Sequence, residues 1–190
     1  MIYSVPFAVL WVAWLVSWAV AARWASRVAA RPGARQELGY WALVVGGAVL
    51  MGANFMTGAR GMQWMPFGTM EQILFVVALA GLGVTWWARI HLGTLWSGRV
   101  TRKEHHRIVK TGPYAIVRHP IYAGISLALI ATALLRPGWA GFAGAALIIA
   151  SFVIKYRLEE RFLMDELGPE YKAYRKQVPA LVPFFTSPDR

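Results

Sequence analysis

The sequence predicts an all-α, polytopic integral membrane protein with about five transmembrane helices, N-terminus outside and C-terminus cytoplasmic. Three observations predict it. First, 57% of the 190 residues are hydrophobic and only 15% charged, with a mean hydropathy of +0.45. A soluble domain of this size carries about a quarter charged residues to coat its surface. Second, five stretches of the chain hold no charge at all. Third, lysine and arginine crowd into alternate connecting segments.

The charge-free stretches run from Ile2 to Ala22, Leu38 to Ala59, Gln72 to Ala88, Pro120 to Leu135 and Pro137 to Ile154. A helix crossing about 30 Å of hydrocarbon needs roughly 20 mostly apolar residues, with about 17 a practical minimum. The fourth stretch has 16. It becomes long enough if Arg118 or His119 snorkels at its end. The first stretch lacks the basic flank of a signal peptide before it. Its arginines, Arg23, Arg27, Arg31 and Arg35, follow it, as in an anchor whose N-terminus lies outside.

Counted along the chain, the four connecting segments and the tail hold four, one, seven, one and seven Lys or Arg residues. Alternate sides therefore carry 18 and 2. The positive-inside rule makes the crowded side cytoplasmic. The net charge of +11 is thus spread over three loops. That spread argues against a nucleic-acid patch and for anionic lipid or an anionic ligand.

Between the fourth and fifth spans, Arg136-Pro137-Gly138 is a tight break, which predicts a helical hairpin. Ala48 with Gly52, and Gly141 with Ala145, have the spacing of small-residue packing pairs. The segment from Leu92 to His119 reads as an irregular loop, broken by Gly93, Gly98, Gly112 and Pro113. Beyond Lys155 the fifth span continues as a charged helix. Gly168-Pro169 breaks it, and a short helix resumes from Pro169 to Gln177. That helix carries Tyr171 and Tyr174 on one face, with Arg175 a turn after Tyr171.

Several residues could carry chemistry. Arg118, His119, Pro120 and Tyr122 stand where the long loop enters span four. Proline suits the first turn of a helix, whose unpaired N–H groups and dipole favour a carboxylate or phosphate. On spacing alone Arg118 is equally a snorkelling flank and His119 a satisfied interfacial residue. Glu159 and Glu160 follow span five and could form a solvated salt-bridge face with Lys155, Arg157 and Arg161, or meet a cationic centre. Arg89, one turn before Gly93, is either a span end or an orienting cation. His105 and His106 are adjacent and have no acidic neighbours, so no metal site is expected. The absence of cysteine excludes disulfide scaffolds, Cys-ligated zinc, iron–sulfur clusters and thiol nucleophiles. The chain contains no phosphate-binding loop, no Gly-x-Ser-x-Gly and no His-Glu-x-x-His. No ionisable residue lies mid-span, which disfavours transport.

Two motifs in order then carry a resemblance. Lys110-Thr111-Gly112-Pro113-Tyr114 precedes Val117-Arg118-His119-Pro120-Ile121-Tyr122-Ala123-Gly124. Leu158-Glu159-Glu160-Arg161-Phe162-Leu163 is followed by Gly168-Pro169-Glu170-Tyr171-Lys172-Ala173-Tyr174, and then by Val178-Pro179 and Val182-Pro183-Phe184. Together with Leu92-Gly93 and Trp96-Ser97, this resembles the isoprenylcysteine carboxyl methyltransferase family over about half the chain, Ile90 to Phe185.

The resemblance implies an integral membrane enzyme that uses S-adenosyl-L-methionine, with its site on the cytoplasmic face. Residues 1–89 would form a three-span membrane region, and 90–190 a methyltransferase core. Gly112, Tyr114, His119, Tyr122, Glu160, Tyr171, Tyr174 and Leu181 would bind the cofactor. Glu159, Glu160 and Arg118 would serve the reacting centre, and Arg89 and Trp96 the substrate. The acceptor would be lipophilic, most simply the carboxylate of a prenylated cysteine, entering from membrane lipid. No metal or nucleic acid is implied. Other acceptors in this class are amines and thiols. Membrane sterol reductases, which bind NADPH, carry a similar Arg-His-Pro-x-Tyr segment, although the Glu159-Glu160 pair followed by Gly168 to Tyr174 fits the methyltransferases better. A non-catalytic membrane scaffold keeping the fold is a further alternative.

Overall fold

A computed structural model describes residues 4–24, 28–30, 34–57, 68–96, 102–103 and 108–185. Expectations resting on Arg27, Arg31, Arg60, Ser97, Gly98, Arg99, His105, His106, Arg107 and Arg190 lie outside the described residues. Among the described residues, five α-helices occur in order: α1 (Ser4–Ala21), α2 (Ala34–Thr57), α3 (Thr69–Leu92), α4 (Pro120–Leu135) and α5 (Trp139–Gln177). Three of them are long and apolar enough to cross a membrane: α2 over Leu38–Met56, all of α3, and α5. The other two are shorter apolar helices, Val5–Ala21 and Pro120–Leu135. At 1.5 Å per residue α4 rises only about 24 Å, short of a typical hydrocarbon core.

One element departs from the all-helical expectation. Val28–Ala30 (β1) and Arg102–Lys103 (β2) pair antiparallel, Val28 opposite Lys103. Periodicity could not suggest so short a ribbon. It joins the first basic loop to the third, so both lie at one end of the bundle, as the charge count requires.

Glycine contacts decide the helix pairing. α3 runs antiparallel to α4. A Cβ on Gly81 would stand 2.6 Å from the Gly124 carbonyl oxygen and 3.2 Å from the Ala128 nitrogen. α2 runs antiparallel to α5, where a Cβ on Gly47 would stand 2.6 Å from the Gly144 carbonyl oxygen. The α4–α5 turn forms as expected, but α4 packs chiefly along α3, and α5 along α2. The small-residue pair expected at Ala48 and Gly52 is displaced by one position. Gly47 is buried at the interface, whereas Ala48 and Gly52 face outward. On the partner helix Gly141 and Ala145 are buried as expected. In lipid, apolar burial does not drive helices together, so this close backbone approach carries the packing.

Polar pairs finish the bundle. Asn54 of α2 donates to the Arg136 carbonyl at 2.9 Å. Arg136 donates in turn to the Phe55 carbonyl at 2.6 Å and lies over the Phe55 ring. These bonds close the α4–α5 turn against the end of α2. α1 docks through its tryptophans. Trp11 donates to Thr132 at 3.0 Å, Trp14 to Thr85 at 2.8 Å, and Ser17 accepts from Trp86 at 3.2 Å. Each indole N–H is thereby paired away from water. The main apolar cluster joins Phe7 of α1, Leu74, Ala78 and Leu82 of α3, and Ala128 and Ala131 of α4. Val9, Val12, Val16 and Val20 of α1 stay exposed, a face suited to lipid.

The α3–α4 contact leads to a test. Gly81→Ala should cost about 1–3 kcal/mol, as expected for overpacking against a backbone. Gly83→Ala, two residues on and on the other side of α3 with nothing within 4 Å, should change stability by less than about 1 kcal/mol. Thermal unfolding of both variants in detergent distinguishes them.

Candidate active site

The long loop enters α4 through the short turn Gly112–Ala115, and α5 leaves the apolar region after Ile154. These two features bring the motif residues together. Gly112 has φ +59, and its α-carbon packs against the His91 ring, so a side chain there would be both strained and obstructed. Pro113 and Tyr114 are buried beneath this turn. His119 precedes the helix and Pro120 opens it, leaving first-turn N–H groups without intrahelical partners.

Past the end of α5, residues Val178–Ala180 form a strap across the start of α4. The Arg118 N–H donates to the Pro179 carbonyl at 2.8 Å, and the His119 N–H to the Ala180 carbonyl at 3.0 Å. Gly168, at φ 52 and ψ −125, kinks α5 so that Pro169–Gln177 turns back toward the loop. That expected second helix buries Tyr171 and Tyr174 with Val178, against Ile108, Leu163, Met164 and Leu167. The Tyr174 hydroxyl donates to the Tyr114 carbonyl at 2.6 Å. Lys110 pairs with Glu170 at 2.9 Å at the exposed edge.

Glu160 is the centre of the arrangement. Its side chain is 7% exposed. Oε1 accepts from Arg118 Nε at 2.8 Å and from His119 Nε2 at 3.0 Å. Oε2 lies 3.4 Å from Arg175 Nε. A carboxylate can only accept, so Nε2 of His119 carries a proton. Glu160 stands on the charged part of α5, beyond Ile154. Burial alone would raise its pKa, but the hydrogen bonds from His119 and Arg118 outweigh burial and hold it below the ordinary carboxylate value. The guanidinium of Arg118 is also committed to the strap, donating to the carbonyls of Arg175 at 2.8 Å and of Val178.

Glu159 lies a step toward solvent. It accepts from the Tyr122 hydroxyl at 2.7 Å, and its other oxygen is 3.7 Å from His119 Nδ1. An aromatic wall backs this pair. The His119 ring stacks near Tyr122 at 5.7 Å and Tyr156 at 5.1 Å, and Tyr122 stacks on Phe152 at 5.2 Å. Lys155 lies 5.5 Å from the ring centres of both Tyr122 and Tyr40. Burial pushes the Tyr174 phenol up to about 12 and raises those of Tyr114 and Tyr171 as well. These phenols therefore remain donors at neutral pH.

Of the expected residues, Arg118, His119, Tyr122, Glu159 and Glu160 share one cluster, and Gly112, Tyr114, Tyr171 and Tyr174 form the packed layer beside it. Leu181 is half-buried just past the strap. Arg89 and Trp96 fall in a different cluster, with Trp18 of α1. Five residues were not anticipated at the site: Tyr40, Phe152, Lys155, Tyr156 and Arg175. A signal existed for two of them, because Phe152, Tyr156 and Glu160 recur every four residues and so share one helix face. Tyr40, near the start of the second charge-free stretch, carries no such signal and is buried.

Known proteins carry the same architecture. The sequence pattern of the isoprenylcysteine carboxyl methyltransferase (ICMT) family matches residues 72–165. Protein-S-isoprenylcysteine O-methyltransferase B of Arabidopsis thaliana is 30% identical over 141 residues, which make up 63% of this chain and 72% of that protein. The chain belongs to this family. Methanethiol S-methyltransferase 2 of Bradyrhizobium diazoefficiens is 43% identical over 70 residues, 37% of this chain and 26% of that one. The solved structure of the eukaryotic intramembrane Ras methyltransferase ICMT superposes with a TM-score of 0.52 at 25% identity. The match covers 80% of this chain and 52% of that one, so the chain spans about half the length of the solved ICMT. The ICMT match begins inside α3 and ends inside α5, enclosing Arg118, His119, Tyr122, Glu159 and Glu160. The chain is a membrane methyltransferase of the ICMT family.

Glu160→Gln should lower stability by about 3–5 kcal/mol, because it leaves Arg118 buried without its charge partner. The sign with pH follows from the depressed pKa. The stabilisation is full above the ordinary carboxylate value of 4.5 and is lost as pH falls through the lower folded value. Melting curves of wild type and variant should therefore stay separated down to pH 4.5 and converge below it.

Proposed function

We propose that this chain moves a methyl group from S-adenosylmethionine to a lipophilic acceptor, the carboxylate of an isoprenylcysteine-like molecule. The observation that carries it is the junction of the α4 N-terminus with Glu159 and the Tyr122–Tyr156 wall, within the segment that matches the family. The donor set suits the cofactor. First-turn N–H groups of α4 would receive its carboxylate. Glu159 would face its ammonium, and the aromatic faces of His119, Tyr122 and Tyr156 would stand by its sulfonium. When bound, this cofactor supplies an activated methyl group, so the residues need little acid–base work.

The protein's part is then to bind, align and dry the site. Arg118 acts as a positioning residue through Glu160 and the strap, while Tyr114, Tyr171 and Tyr174 seat the loop, and Leu181 closes the edge beyond Ala180. An acceptor arriving from the bilayer would shed water before it reached Glu159, and a dehydrated carboxylate is the better nucleophile. Membership of a methyltransferase family favours this chemistry over an NADPH-dependent reduction or a scaffold role. One observation favours a second acceptor class. The 43% identity to a methanethiol S-methyltransferase over 70 residues supports a thiol acceptor at the same site.

Calorimetry on the detergent-purified chain should detect S-adenosylmethionine binding, weakened at least tenfold by His119→Ala. Absence of binding by the wild type, with NADPH binding in its place, would overturn the reading. Transfer of labelled methyl should favour an S-farnesylcysteine acid over an alkyl thiol; the reverse preference would establish the thiol reading. We further propose that the site lies on the cytoplasmic face, as the loop charges imply. A reporter fused to the C-terminus should then be active only in the cytoplasm, and periplasmic activity would invert the topology.

A further inference from the structure

Arg89 stands in the last turn of α3, and it is 2% exposed. Its guanidinium lies between two indoles, 3.4 Å from the ring centre of Trp96 and 4.7 Å from that of Trp18. One nitrogen, Nη2, donates to the Ala21 carbonyl at the end of α1. Nε and Nη1 are buried and have no hydrogen-bond partner. Among the described residues, no carboxylate pairs with this cation. A buried guanidinium with two open donors and no counter-charge is costly, and cation–π contacts offset only about 2 kcal/mol of that cost. Among the described residues the cage thus has no anionic partner.

Its position narrows what the anion is. Antiparallel packing of α3 and α4 puts Arg89 at the same end of the bundle as His119. However, Arg89 faces α1, whereas the Glu160 cluster lies between α4 and α5. It also sits where the apolar α3 ends, the depth at which lipid phosphates meet a membrane protein. On α1 the cage meets Trp18 and Ala21, and Val16 and Val20 are more than half exposed on the far face of that helix. We propose that Arg89, Trp18 and Trp96 form an oxyanion site at the α1–α3 seam that holds the phosphate of a membrane phospholipid. Arginine is well suited to it, since its five donors stay charged at any pH and match phosphate oxygens. Trp96, just past the short turn Gly93–Leu95, forms one wall of this site. This site stands apart from methyl transfer and does not depend on that reading.

The test uses the full chain in detergent, with dioleoylphosphatidylglycerol as probe and dioleoylglycerol as its phosphate-free counterpart. Native mass spectrometry should show the wild type retaining phosphatidylglycerol at least tenfold better than Arg89→Gln, with dioleoylglycerol retained poorly by both. Equal retention by wild type and Arg89→Gln would overturn the site. Inorganic phosphate protecting the wild type against thermal unfolding as well as the lipid does would overturn the lipid assignment, as would Arg89-dependent capture of an S-farnesylcysteine acid in place of lipid. If Arg89→Gln does not fold, Trp96→Leu carries the same comparison, with retention expected to fall several-fold and unchanged retention overturning the proposal. S-adenosylmethionine affinity is measured in the same variants. Its loss in Arg89→Gln would merge the cage with the His119 site and overturn their separation.

Discussion

The carboxylate of Glu160 ties together parts of the chain that are far apart in sequence. Arg118 and His119 come from the loop before α4, Arg175 from the helix beyond the Gly168 kink, and all three converge on its two oxygens. A buried carboxylate is tolerable only when its lone pairs are satisfied, so each partner is constrained by the others. Once Arg118 is held, its remaining donors fix the carbonyls of Arg175 and Val178. The backbone bonds to Pro179 and Ala180 then lay the strap across the α4 entrance. Remove the carboxylate, and the strap loses the group that orients its anchor.

This clamp works only because the helices beneath it are set at short distance. Gly81 against Gly124, and Gly47 against Gly144, bring two antiparallel pairs into backbone contact. Side chains above those contacts have little freedom. Tyr122 lies two residues before Gly124 on α4, and its position relative to Phe152 and Glu159 follows from where α4 rests. The indole-to-hydroxyl bonds of Trp11 and Trp14 fix α1 in the same way, through polar pairs whose alternative in lipid is an unpaired donor.

Much of this was legible in the sequence, for physical reasons. Charge is expensive in hydrocarbon, so the helix bodies and the basic loops announced themselves. Gly168-Pro169 marked the kink because only a residue free to take positive φ fits before the restart. The Arg118–His119 and Glu159–Glu160 blocks were legible as a pair through family resemblance, whereas spacing alone left each ambiguous. What stayed hidden depended on tertiary direction. No local pattern distinguishes Gly47 from Ala48 as the contact residue, or Tyr40 as a buried neighbour of Lys155. Likewise, the association of Arg89 with Trp18 spans most of the N-terminal region and has no periodic signal.

The two adjacent glutamates also separate by environment. Glu160 is saturated by two arginines and a histidine, so it has little capacity left for a ligand. Glu159 is 20% exposed, accepts from the Tyr122 hydroxyl, and among the described ion pairs meets only His119. Adjacent positions on a helix point about 100° apart, which sends one carboxylate into the clamp and leaves the other at the aromatic wall. On the proposed reading, this division leaves a single carboxylate outside the clamp where a cationic cofactor would be held. Because the clamp neutralises the second, a negatively charged acceptor could approach that centre against the repulsion of one carboxylate instead of two.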